Sequence, residues 1–180
     1  MRSLRALVVA VGCLVVLPSS AEQGGNPMAF SISSSAFEHG ASIPRAFTAD
    51  GTDVSPALSW ENPPSGTQAF ALVCDDPDAP IGTWVHWLIW NLPASAKGLA
   101  EGVQPKKTMG DGSAQGKNDF GRIGYGGPSP PPGKPHRYFF RLYALKEKLP
   151  LAAGASRRDL EKAMEGKILT AVEVFGTYRR

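Results

Sequence analysis

Trp84-Val85-His86-Trp87-Leu88-Ile89-Trp90-Asn91-Leu92 is the stretch on which the fold turns. Aromatic and β-branched side chains dominate it, and these fit a pleated, half-buried surface. Alternate residues of a strand share a face. On that periodicity His86 shares its face with Trp84, Leu88 and Trp90, while Val85, Trp87 and Ile89 point the other way. Both faces are bulky, which predicts a central strand. The strand follows the turn-forming segment Asp76-Pro77-Asp78-Ala79-Pro80, so His86 is expected near a sheet rim.

Towards the N-terminus, Gln68 to Cys74 is a continuous apolar run between chain breakers and reads as a strand buried on both faces. Weaker strand signals lie at Phe30-Ser31-Ile32-Ser33, an edge-like alternation, and at Ala57 to Trp60. Asp50-Gly51 and Pro63-Pro64-Ser65-Gly66 mark turns between them. Towards the C-terminus, His136 to Leu145 is a strong strand, with His136, Tyr138, Phe140 and Leu142 on one face. Arg137, Phe139, Arg141 and Tyr143 fall on the other.

A single helix is predicted. Ser156 caps it with Asp159 as a short capping-box partner, Leu160, Ala163 and Met164 form its buried stripe, and Gly166 stops it. Ile168 to Tyr178 reads as a last strand. Many strands, one late helix and no regular β–α alternation predict a mainly β domain.

Ala94 to Pro135 lacks a regular pattern, and so long a segment inside a compact domain is usually functional or disordered. Asp119-Phe120-Gly121 and Gly124-Tyr125-Gly126-Gly127-Pro128 set aromatics among glycines, which predicts an ordered loop with fixed turns. Asp119-Phe120-Gly121 also matches a kinase tripeptide, but the other kinase motifs are absent from the sequence.

The 180 residues fit one domain, expected to span 30–180, and 42% apolar residues suffice for one core. Met1-Arg2-Ser3-Leu4-Arg5, the apolar run Ala6 to Leu17 and Pro18-Ser19-Ser20-Ala21 follow the order of a signal peptide. Residues 1–21 are therefore expected to be cleaved after Ala21 and the protein exported, periplasmic or secreted. Residues 22–29 are expected to form a flexible lead-in. The lipoprotein alternative at Cys13 is disfavoured, since Ala10-Val11-Gly12-Cys13 matches poorly and leaves a very short apolar run.

The mature chain would carry 17 basic against 16 acidic residues, a net charge of +1 in place of +3. That balance, with no basic stripe interleaved with aromatics, argues against a nucleic-acid partner. The mature sequence contains no transmembrane span. Cys74 would be its one cysteine, without an internal disulfide and expected in the core.

Asp76, Asp78, His86, His136 and Tyr138 are the candidate site, with Gly and Pro loop backbone nearby. Each histidine follows a Pro/Gly loop and starts a strand, so two loops and two strands build one polar pocket. Imidazolium donors, a phenol and bare amides suit a phosphate or carboxylate. The aspartates would repel such an anion head-on, so they orient a histidine or meet a cation attached to the ligand. Duller readings stand beside this one. Asp76 and Asp78 could cap turn amides, Asp78 could pair with Arg137, and each histidine could be an ordinary rim residue. A metal set of His86, His136 and Asp76 is the rival, without supporting spacing. G-x-S-x-G and Walker motifs are absent from the sequence, and no cofactor is called for.

These blocks carry a resemblance. Asp76-Pro77-Asp78-Ala79-Pro80, Trp84-x-His86-Trp87, Gly124-Tyr125-x-Gly127-Pro128-x-Pro130-Pro131 and His136-Arg137-Tyr138 resemble the phosphatidylethanolamine-binding protein family, in its bacterial Raf-kinase-inhibitor-like branch. Ser55-Pro56-x-Leu58-x-Trp60 and Gly176-Thr177-Tyr178 are similar to that branch too. The resemblance implies a central antiparallel sheet packed on a smaller one, and an anion pocket at a sheet rim. It also implies Asp76, His86, His136 and Tyr138 as pocket residues, with Pro80 and the Gly127 to Pro131 loop, through Gly127, Pro128, Pro130 and Pro131, at the wall. Asp78 and Arg137 look structural. Pro135 and the triple proline Pro130-Pro131-Pro132 depart from the family pattern and stiffen the wall.

The expected function is an exported, non-enzymatic binding or regulatory protein for a small phosphate or carboxylate ligand, such as a lipid head group. A protein partner, through inhibition of a protease or kinase by the 94–135 loop, is the alternative. A hydrolase using the His/Asp pocket is a further one.

Overall fold

The computed structural model describes residues 29–180. The expected signal segment and all but the last residue of the lead-in lie outside the described residues. In chain order the strands are β1 (Ser31–Ser34), β2 (Leu58–Glu61), β3 (Ala69–Asp76), β4 (Trp84–Pro93), β5 (Gly98–Leu99), β6 (Ala114–Gln115), β7 (His136–Leu145) and β8 (Ile168–Tyr178). Helix α1 (Arg157–Met164) lies between β7 and β8. The fold is mainly β, as expected. A five-stranded antiparallel sheet runs β6-β4-β3-β7-β8, and a small antiparallel sheet runs β1-β2-β5.

The large sheet is covered on both faces. Phe70, Leu72, Cys74, Trp87, Ile89, Tyr138, Phe140 and Leu142 join Leu58 and Trp60 of the small sheet in the main core. Ala71, Val73, Leu88, Trp90 and Leu145 pack on the other side against Leu149, Leu160 and Met164. This explains why β3 reads as an unbroken apolar run: every one of its residues is buried. Each large side chain buried in this way contributes about 1.5–3 kcal/mol.

The capping box of α1 forms as read. The Asp159 amide donates to Ser156 Oγ, and the Ser156 amide donates to Asp159 Oδ2. Gly166, at φ 68°, turns the chain out of the helix. Beneath α1, Asp75 of β3 is fully buried between Arg141 of β7 and Arg157 of α1. Arg141 also reaches Glu173 of β8 at 3.0 Å. These pairs tie the helix to three adjacent strands.

The 94–135 segment is ordered, as its glycine–aromatic blocks predict. It contains the short β5 and β6 and then runs along the outer edge of β4. There the amides of Gly116, Asp119 and Gly126 donate to the carbonyls of Leu88, Val85 and His86. The edge of β4 is thereby covered, which removes a liability of bare strand edges.

One expectation needs correction. Strict alternation along β4 fails at His86. Cys74 pairs with Trp87 and Asp75 with Val85, so His86 is an extra residue, a β-bulge. A bulge turns two consecutive side chains to one side of a sheet. His86 therefore points to the side of Trp87 and Ile89, away from Leu88 and Trp90, although it keeps Trp84 as a neighbour. A second bulge at Asn91, with φ 58°, resets the alternation, so Leu92 joins the main core. The Asn91 side chain is used there: it accepts from the Leu149 amide and donates to the Leu149 carbonyl.

Candidate functional site

β3 and β7 are antiparallel neighbours, so the end of β3 meets the start of β7. Asp76 is there, 3% exposed, and both its oxygens are engaged. Oδ1 accepts from the Asp78 amide at 2.8 Å, which fixes the turn. Oδ2 accepts from His136 Nδ1 at 2.8 Å. The turn-capping reading and the histidine-orienting reading of Asp76 are both realised. His86, 2% exposed, donates from Nδ1 to the Gly126 carbonyl at 2.6 Å.

A carboxylate and a carbonyl can only accept, so both imidazoles carry a proton on Nδ1. Nε2 of neither ring has a hydrogen-bond partner among the described residues. When neutral, each Nε2 offers a lone pair; when protonated, each becomes a charged donor. Burial pushes the His86 pKa below its ordinary 6.5, and the Gly126 carbonyl and the charge of Asp76 partly oppose that.

Tyr138 follows His136 on the same strand face, with its ring edge-on to His86 at 5.1 Å. Its hydroxyl is buried without a hydrogen-bond partner among the described residues. Burial first, then the charge of Asp76 and the pull of that nearby carboxylate on the hydroxyl proton, push its pKa far above the usual phenol value, so it stays a donor. A buried donor without a partner is costly, and its persistence points to a ligand or water atom.

These groups share a cavity of about 310 Å³. Of the expected residues, Asp76, Pro80, His86, Pro130, Pro131, His136 and Tyr138 line it. Gly127 and Pro128 do not, and their placement is a correction. The Gly127 amide donates to Asp53 Oδ1 at 2.6 Å, and a Cβ there would lie 2.6 Å from the Phe47 carbonyl oxygen. The Pro128 carbonyl accepts from the Ala49 amide. Both anchor the wall from behind, against the 47–53 segment.

Asp78 and Arg137 pair outside the cavity, as expected, with Nη2 to Oδ1 at 2.7 Å and Nε to Oδ2 at 2.9 Å. The Arg137 hydrogen bonds hold the Asp78 carboxyl down at about 2. The rival metal set is not assembled: among the described residues no three His, Cys, Asp or Glu side chains are grouped to hold a metal ion.

Four lining residues lie outside the expected set, Ala79, Ile81, Trp84 and Phe120, and Ser129 lines the cavity from within the expected wall loop. Trp84 had a signal, since it shares the alternation of His86. Phe120 had a fainter one, as an aromatic set among glycines. Its ring stands 5.2 Å from His86 and 5.5 Å from Trp84. Asp119 positions it by gripping Val85 twice, through Oδ2 to the Val85 amide and through its own amide to the Val85 carbonyl. The 94–135 loop is thus part of the pocket, and cutting it away would remove a wall.

A family model described as phosphatidylethanolamine-binding protein matches residues 33–179. The chain is 46% identical over 172 residues to a UPF0098 protein of Aquifex aeolicus, covering 94% of this chain and 99% of that one. It is 50% identical over 145 residues to a UPF0098 protein of Methanothermobacter thermautotrophicus, covering 81% and 95%. Two crystal structures are similar. One is the phosphatidylethanolamine-binding protein homologue CT736 of Chlamydia trachomatis, with TM-score 0.77, 36% identity and coverage of 84% and 98%. The other is YbcL of E. coli, described as a member of the mammalian PEBP family, with TM-score 0.78, 31% identity and coverage of 84% and 98%.

Proposed function

The chain belongs to the phosphatidylethanolamine-binding protein family, in its UPF0098/YbcL-like bacterial branch, and from that premise we propose that it is an exported, non-enzymatic binding protein. Its cavity takes a small phosphate-bearing or carboxylate ligand of the lipid head-group kind. One observation carries this reading. Both imidazoles are tied back through Nδ1 while lining one cavity, and a partnerless Tyr138 hydroxyl lies beside them. Three donors can then converge on one anion once the rings are protonated. Export rests on the basic flank, apolar run and small-residue exit of residues 1–21.

Calorimetric titration with O-phosphorylethanolamine at about pH 6, near the ordinary histidine range, tests the binding. Wild type gives a saturable heat and His86→Ala loses it; equal heats from both would count against the pocket. Export is tested by N-terminal sequencing of the protein from the periplasm or medium, which should begin at Glu22.

A second reading has its own observation. Asp76 grips His136 as a general base is gripped in acyl-transfer sites, and Ser129 lines the same cavity. Turnover of an aryl ester, abolished by His136→Ala and Asp76→Ala, would favour a hydrolase.

A further inference from the structure

Ser129, Pro130 and Pro131 line the cavity, and Pro132 extends the run. Nothing within this wall fixes its place. Proline has no N–H to donate, and among the described residues Ser129 to Pro132 make no backbone hydrogen bond. The ring-locked φ of each proline makes the run a short stiff rod, which moves as a unit about its two ends. At the upstream end the Pro128 carbonyl accepts from the Ala49 amide at 3.0 Å, and the Gly127 amide donates to Asp53 Oδ1 at 2.6 Å. At the downstream end the Gly133 amide donates to the Arg180 carbonyl at 3.4 Å.

The two ends are joined behind the wall. Arg180 donates from Nη2 to Asp50 Oδ1 at 2.6 Å and from Nε to Asp50 Oδ2 at 2.8 Å, a bidentate pair. Asp50 adjoins Ala49. A closed circuit therefore runs from Pro128 along the prolines to Gly133, on to Arg180 and Asp50, and through Ala49 back to Pro128. The Gly133 link is long, so it holds only while the guanidinium fixes Arg180 from its other side. Tyr178 adds a further hold, its hydroxyl donating to Asp50 Oδ2 at 2.9 Å. Tyr178 stands opposite His136 in the β7–β8 register, which ties the circuit to the strand that carries His136 and Tyr138. The hydrogen bonds from Arg180 and then Tyr178 keep the Asp50 carboxyl down at about 2, so the pair stays charged near neutral pH.

We propose that Asp50 and Arg180 are positioning residues that set the width of the cavity by clamping the proline wall. Resting on the reading of this cavity as an anion site, they determine how bulky a ligand substituent it admits. Neither residue lines the cavity. Their effect falls on size discrimination, whereas that reading gives the anion contacts to His86, His136 and Tyr138. An ion pair this open to solvent adds little to stability, so what it contributes is geometry. Breaking it frees one end of the rod, and the wall swings away from the rest of the lining.

Trp84 reports the wall without any ligand. Of the four tryptophans, Trp60, Trp87 and Trp90 are buried, while Trp84 is half-buried and lines the cavity. Acrylamide quenching of tryptophan fluorescence therefore reads how open the cavity is. In the full chain Arg180→Ala and Asp50→Asn should each steepen the quenching, and the double variant should steepen it no further. Arg180→Lys keeps a single ion pair to Asp50 and should lie between Arg180→Ala and wild type. Calorimetry with phenyl phosphate and 1-naphthyl phosphate reads the discrimination. Wild type should bind the phenyl ester several-fold more tightly than the naphthyl ester, and Arg180→Ala should close that gap.

A lower denaturation midpoint in Arg180→Ala, with quenching and affinity ratio both as in wild type, would make the pair structural only and overturn the proposal. Additive quenching effects of Asp50→Asn and Arg180→Ala would overturn the shared clamp. Equal affinity of the two esters in wild type, or an unchanged ratio in Arg180→Ala, would overturn the control of size. If wild type binds neither ester, the anion reading falls, and the quenching comparison alone decides whether Asp50 and Arg180 set the wall.

Discussion

His86 and Gly126 hold each other twice: the imidazole Nδ1 donates to the Gly126 carbonyl at 2.6 Å, and the Gly126 amide donates to the His86 carbonyl at 2.9 Å. The bulge in β4 turns the ring inward, and this double contact fixes its tautomer. A glycine is needed there. A Cβ at position 126 would meet Phe120 Cδ2 at 2.8 Å and Cε2 at 3.0 Å. Gly126→Ala should therefore displace the Phe120 ring and cost about 1–3 kcal/mol. Urea unfolding measures the cost, and an unchanged midpoint would mean that Phe120 is not packed as described.

The buried His86 also sets an acid limit on stability. Its folded pKa lies below 6.5, while the unfolded chain titrates near 6.5. As pH falls below about 6.5, the unfolded state takes up the proton first, so stability present above that pH is lost towards the lowered folded value. Denaturation midpoints of the unliganded protein should drop across this window, and His86→Gln should flatten the drop. Saturating anion should restore the midpoint, because it favours the protonated ring. A rise in stability on acidification over the same window would contradict the burial argument.

Tyr138→Phe separates binding from folding. The hydroxyl is buried without a partner among the described residues, so removing it relieves a desolvation cost of roughly 1 kcal/mol or more. The variant should melt no lower than wild type yet bind O-phosphorylethanolamine several-fold more weakly. Lower stability with unchanged affinity would assign the phenol a structural role alone.

On the opposite face, Asp75 is the hinge of the ion-pair network under α1. Asp75→Asn leaves Arg141 and Arg157 without their shared carboxylate and should cost about 3–5 kcal/mol. Arg157→Met removes a half-buried partner and should cost less, since Arg141 still compensates Asp75. Chemical denaturation of both variants gives the order, and the reverse order would show that Arg141 does not neutralise Asp75.

Much of this was legible in the residues. The bounds of β7 and β8 and the cap of α1 follow from alternation and capping chemistry, which are local. Seven of the nine expected lining residues meet at one cavity, because the Asp-Pro turn and both histidines stand next to strand ends. The facing of His86 was not legible. A bulge depends on the register with β3, a pairing between distant segments, and one extra residue reverses every later side chain. Gly127 illustrates a similar limit: a glycine required for close approach to Phe47 looks, in sequence, like a glycine required for ligand access. Ile81 was missed because an exposed isoleucine has no periodic signature.

The most direct test reads the two imidazoles themselves. Long-range ¹H–¹⁵N NMR distinguishes Nδ1 from Nε2 in each histidine. Without ligand near pH 7, where His86 is neutral, its ring should appear as the Nδ1–H form. Saturating O-phosphorylethanolamine should move the Nε2 signal of His86 to the protonated position and shift that of His136 with it, and Tyr138→Phe should weaken the response. Nε2 signals that stay unmoved in both rings at saturating ligand would contradict a shared anion site.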